Sequence, residues 1–187
     1  MPIPEFRLLI VPGVTVDKWS RMWSERRPDV TLRLIPVEAN QAEGDLEHAD
    51  AGLLRLPVDP DAFHAIPLYT ETTVVIVPRD HLVTAADEVT LADLADETQL
   101  RLVDGAVAQV AAGGGVLVVP QSLARLHHRR DLAYRPVTDA PTSTVGLVWP
   151  RDRHTDLVEE LIGIVRGRTA NSTRGRTQPP PTRKRGR

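Results

Sequence analysis

Few side-chain groupings in these 187 residues have the types and spacing that chemistry requires. His127-His128-Arg129-Arg130 collects two imidazoles and two guanidiniums, which would suit a metal or an anion. Adjacent residues on a helix point different ways, and no carboxylate stands at metal-ligand spacing, so a solvated helix end is the expectation. Asp59 and Asp61, or Asp93, Asp96 and Glu97, offer carboxylates for acid–base work. Neither group has a recognisable partner base, and no Ser-His-Asp or paired-glycosidase context is present. Gly113-Gly114-Gly115 follows a helical stretch and precedes an extended one, the reverse of a phosphate loop, and is expected to stop the helix. Cysteine is absent, which excludes thiolate zinc sites, disulfides and thiol nucleophiles. No catalytic residue, metal or cofactor is expected. Thr15 is different: it follows Pro12-Gly13 and opens a helix, where a hydroxyl and free backbone N–H groups can hold a carboxylate, or where the hydroxyl simply caps.

The clearest chemical signal is charge. Arg166, Arg168, Arg174, Arg176, Arg183, Lys184, Arg185 and Arg187 close the chain with no acid among them. Residues 1–165 then hold 15 Lys and Arg against all 25 Asp and Glu. A Pro- and Gly-rich cationic block cannot bury a core, so it is expected to be a disordered, solvated arm on a folded acidic body. Arg-Gly-Arg occurs three times, at 166–168, 174–176 and 185–187. Glycine lets the backbone approach a groove floor while arginines follow phosphates or enter a narrow minor groove, as in an AT-hook, although the proline expected after such a core is missing. DNA contact through these eight cations is one expectation, and a nonspecific basic tail that aids solubility is the other.

The elements that must position these groups follow from pattern. Phe6–Val11 is a short apolar run between prolines, a buried strand ending at Pro12-Gly13. Val16, Trp19, Met22 and Trp23 recur at helical spacing before Pro28. Strands are expected at 30–37 and 51–56, with a short helix at 43–49 between them, and this βαβαβ order implies a parallel sheet. Further extended segments are expected at 66–69, 72–77, 100–103, 116–119 and 145–149. Helices are expected at 90–94, 106–112, 122–128 and 156–165. The longest apolar runs are far shorter than the roughly 20 residues that cross a bilayer. No export signal pattern opens the sequence, so no membrane contact and a cytoplasmic location are expected.

Taken in order, VPGVTVDKWSRMW, DAGLLRLPVD, IPLYTETTVVIVPRDH, VTLADLADE, VAAGGGVLVVPQSLARL, LAYRPVTDAP and VGLVWPRD make residues 3–165 resemble the effector-binding domain of LysR-type transcriptional regulators. The resemblance implies an α/β fold similar to type 2 periplasmic binding proteins. In it a parallel or mixed sheet with flanking helices forms each of two lobes, with a small-molecule cleft between them. It implies that Asn40 and Arg55, like Thr15, lie at strand ends facing that cleft, where an arginine would suit a small organic acid. It equally allows that Thr15 caps, Asn40 turns and Arg55 meets surface acids. Only Gly105 separates Asp104 from Ala106 where the family places much of its second lobe, so that lobe is expected to be reduced. The expected division is a first lobe of about 1–98 and 130–165, a second of about 99–129, and the tail 166–187. The chain starts at what would be the first strand of the effector domain, without the family's helix-turn-helix. The function implied is a non-enzymatic, effector-binding regulator-like protein that forms a homodimer, with Trp19 or Trp23 available for contact. The alternative is a ligand-free interaction module that pairs as a heterodimer with full-length LysR-type regulators.

Overall fold

The computed structural model describes residues 3–167, and they form two sheets with helices on both faces. The first five-stranded sheet has the order β2-β1-β3-β8-β4, built from β1 (Glu5–Ile10), β2 (Thr31–Pro36), β3 (Ala51–Leu56), β4 (Phe63–Glu71) and β8 (Ser143–Pro150). β1 pairs in parallel with both β2 and β3, as the βαβαβ pattern requires, and β8 then inserts antiparallel between β3 and β4. The second sheet has the order β6-β5-β7, from β5 (Thr73–Pro78), β6 (Leu117–Pro120) and β7 (Leu132–Pro136), all antiparallel neighbours.

Each sheet has its own core. On one face of the first, α1 (Asp17–Arg26) and α5 (Asp156–Val165) bury Trp23, Leu161 and Ile164 against Phe6, Leu8 and Leu53. Trp23 is fully buried, lies 4.9 Å from Phe6 between ring centroids, and donates Nε1–H to the Val30 carbonyl at 2.9 Å. α1 stops before Pro28, whose ring forbids another helical turn. On the other face, α2 (Ala42–Asp45) and the 3-10 turn at Leu46–His48 cover Leu9, Val11 and Leu54. The second sheet packs Val74, Ile76 and Leu117 against α3 (Ala106–Ala111) and α4 (Gln121–Leu126). Its opposite face packs on Val83, Val89 and Leu94.

The sheets do not divide where the sequence suggested. Strands of the first come from 5–71 and 143–150, and those of the second from 73–136, so β5 and β7 leave the expected first lobe. The reason lies in Thr72, where the long extended run 63–78 passes from one sheet to the other. The strand expected at 100–103 is absent, and only a bridge between Gln99 and Val116 forms. Arg101 through Gly105 are all exposed, so nothing there supplies a buried face. The helix expected at 90–94 is a 3-10 turn, Ala92–Leu94. The tail expectation, with Arg168 through Arg187, lies outside the described residues. Arg166 is the exposed residue that closes α5.

Candidate site at the junction of the two sheets

Arg55 sits next to last in β3, with only 16% of its side chain exposed, and its donors join several elements. Nη1 donates to the Glu71 carboxylate and to Ser143 Oγ at 3.0 Å. Nη2 donates to the Pro12 carbonyl at 3.2 Å and to Ser122 Oγ at 3.1 Å. Glu71 ends β4 and Ser143, its register partner, begins β8, where both strands leave the first sheet. Pro12 follows β1, and Ser122 belongs to α4 of the second layer. One guanidinium therefore touches both layers and both connecting strands.

The surrounding backbone is equally close. Gly13 adopts φ +87°, and a Cβ there would lie 2.5 Å from Ser122 Oγ, so only glycine lets this turn approach α4. Buried Thr73 donates its hydroxyl to the Pro141 carbonyl at 2.5 Å, and Gln121 N–H bonds the Thr72 carbonyl at 3.0 Å, tying the crossing segments together. A carboxylate this near a guanidinium, with 11% of its side chain exposed, is held by charge as well as by hydrogen bonding. Nearby Tyr69 has its phenol pKa raised, first by burial and then by the Glu71 charge.

The other two expected ligand residues do not join Arg55 through any hydrogen bond. Thr15 is exposed and does not cap, since the N-cap of α1 is Val16, with no side-chain hydrogen bond. Asn40 is exposed in a turn closed by Gln41 N–H and the Glu38 carbonyl at 3.0 Å. A concavity of about 620 Å3 opens beside them at the ends of β1 and β2, lined by Val14, Leu34, Val37, Glu38 and Leu126 among others, but by neither Thr15 nor Asn40. The residues missed were Glu71, Ser122 and Ser143. A signal for Glu71 existed: it is the single charge in the extended stretch AIPLYTETTVVIVP, and a charge in such a run needs a partner.

The histidine–arginine grouping makes local contacts. His127 caps the end of α4, and Arg129 forms a two-point pair with Asp131, at 2.9 and 2.7 Å, that lowers the Asp131 pKa. Among the described residues no group of three or more His, Asp or Glu could hold a metal ion. No described helix is long and apolar enough to cross a membrane.

Residues 14–107 and 102–170 match the LysR substrate binding domain family. The chain belongs to that family. The two matched stretches of this LysR-type domain meet around Gly105, where the sequence looked abbreviated. The Hca operon transcriptional activator HcaR of Escherichia coli K12 is 23% identical over 200 residues, covering 87% of this chain and 67% of that protein. The regulator AlsR of Bacillus subtilis 168 is 21% identical, covering 77% of this chain and 59% of that protein. The LysR-type domain thus spans about three fifths to two thirds of the regulators it matches.

Solved structures agree on the fold. The BenM effector binding domain with its effector benzoate superposes with a TM-score of 0.74 at 20% identity, covering 88% of this chain and 91% of that one. The reduced form of OxyR gives 0.69 at 24% identity, covering 89% and 96%. An α/β fold with a mixed sheet and flanking helices, of the LysR effector-binding kind, is therefore the architecture of the chain.

Proposed function

We propose that this LysR-type domain is the effector-responsive part of a non-enzymatic transcription regulator-like protein, and that a small organic acid acts on it at Arg55. The observation that carries this is the position of one half-buried guanidinium between two separately cored layers. A ligand carboxylate that competes with Glu71 for Arg55 changes how the layers are joined, which is what a sensor domain requires. Thr15 and Asn40 are proposed to contact the ligand from the exposed β1 and β2 ends. The domain pairs with a second copy through the first lobe, with half-buried Trp19 available for contact. Arg166, Arg168, Arg174, Arg176, Arg183, Lys184, Arg185 and Arg187 contact DNA phosphates. Benzoate and aliphatic carboxylates should raise the melting temperature, and Arg55→Ala should weaken binding by roughly 1.5–3 kcal/mol. Glu71→Gln, which removes the internal competitor, should tighten it. A loss of affinity in Glu71→Gln would sink this assignment.

A ligand-free interaction module has its own support, because both terminal nitrogens of Arg55 are already satisfied within the chain. In that case no carboxylate shifts the melting temperature of either protein, and the domain co-purifies with a full-length LysR-type regulator.

A further inference from the structure

We propose that, in the absence of DNA, the concavity at the carboxyl ends of β1 and β2 receives this chain's own segment Pro179–Arg185, PPPTRKR, in cis. The walls are aliphatic, and two of their large side chains face solvent: Leu34 is 38% exposed on β2 and Leu126 is 58% exposed at the end of α4. The rim is acidic. Glu38 and Asp45 line it, no lysine or arginine does, and among the described residues neither carboxylate makes an ion pair or side-chain hydrogen bond. Glu43 and Glu47 continue the negative charge along the same short helical segment. An apolar trough with an unneutralised acidic edge calls for a rigid apolar segment followed by cations.

The sequence contains one such segment. It includes Pro179-Pro180-Pro181, and proline runs as a class favour the extended polyproline form, which docks in apolar grooves at little entropic cost. Arg183-Lys184-Arg185 follows directly, with no acid between residues 166 and 187. The geometry permits the approach. β1 and β3 run parallel and β8 runs antiparallel to β3, so α1 and α5, which return after β1 and β8, run in opposite directions, with Arg26 and Glu160 paired at 3.2 Å. The end of α5 therefore lies at the start of α1, where Val16 and Ile164 share a core and Val14 lines the concavity. From Gly167 to Pro179 the extended chain reaches roughly 40 Å, several times what is needed to round one helix. The other acidic face is less available: Asp93, Glu97 and Asp139 are engaged by Thr90, His81 and Leu91.

Zero-length carbodiimide cross-linking of the full chain tests this directly, because Lys18 and Lys184 are its only lysines. Lys184 should link to Glu38 or Asp45 within one molecule, shown by the absence of mixed products when unlabelled and nitrogen-15-labelled protein are combined. Leu34→Ser with Leu126→Ser, both at exposed positions, should cut the yield severalfold without moving the melting temperature. Replacing the three prolines by serine, which keeps every charge, should do the same. Links spread over Asp87, Glu88 and Asp96, links formed only between molecules, no Lys184 link, or a yield indifferent to the leucine and proline changes would each overturn the proposal.

Discussion

Single side chains set several of the sharpest expectations. Trp23 fills the first core and also satisfies the Val30 carbonyl. Trp23→Phe leaves that carbonyl without its partner and should lower stability by about 1–3 kcal/mol, read from urea unfolding. Trp23→Ala adds a cavity and should cost about 3–5 kcal/mol. Asp93 carries a pH dependence. It accepts from the Thr90 backbone N–H at 2.8 Å and from the Thr90 hydroxyl at 2.7 Å, and these bonds, the backbone one foremost, lower its pKa. Because the folded value lies below the unfolded one, the stabilisation is present above the ordinary carboxylate pKa and is lost as pH falls through the folded value. Thr90→Val should move the Asp93 titration back upward in an NMR pH series. An unmoved titration would show that the hydroxyl contributes nothing.

At the scale of elements, caps and patterns explain what was legible in the sequence. α5 begins at Thr155, whose hydroxyl accepts from Val158 N–H at 3.3 Å, so Thr155→Ala should destabilise by about 1 kcal/mol in thermal or urea unfolding. The apolar side read from the sequence, Leu157, Leu161, Ile164 and Val165, gives limits that match Asp156–Val165, although the buried side chains are Val158, Leu161, Ile162 and Ile164. The parallel set β2-β1-β3 was equally readable, since apolar strands alternate there with short helices. β7 was not, because in LAYRP one strand face ends in Arg135, whose guanidinium bonds the Ala86, Tyr134 and Thr84 carbonyls instead of a core. The passage of one extended run between two sheets at Thr72 leaves no local signal, so pattern alone does not show that β5 and β7 pair outside the first sheet. For the candidate site, Arg55 comes from the family resemblance, which implies a strand end for it, and it stands next to last in β3. Its partners from residues 71, 122 and 143 are far away in sequence, and spacing alone cannot bring them together.

For the molecule as a whole, two cores joined by a few polar contacts imply separable stabilities. Gly13→Ala forces a Cβ against Ser122 and strains a φ of +87°, so it should open the junction and destabilise by more than about 1 kcal/mol. Amide exchange should quicken around residues 12–14 and in α4 while the centres of β1 and β5 keep their protection. If protection falls uniformly, the layers behave as one unit. The insertion of β8 between β3 and β4 also has a bearing on biosynthesis. A ribosome delivers residues 73–136 as an uninterrupted block, so the three-stranded layer can close while translation continues. The larger layer cannot, because its fourth strand in spatial order is the last to be made. Until residue 150 emerges, β3 and β4 present open edges to the nascent-chain environment, an invitation to pairing with other chains. Products stalled before Ser143 should therefore aggregate or recruit chaperones more than products stalled after α5, a difference that arrest-peptide and pull-down experiments on stalled ribosomes can measure.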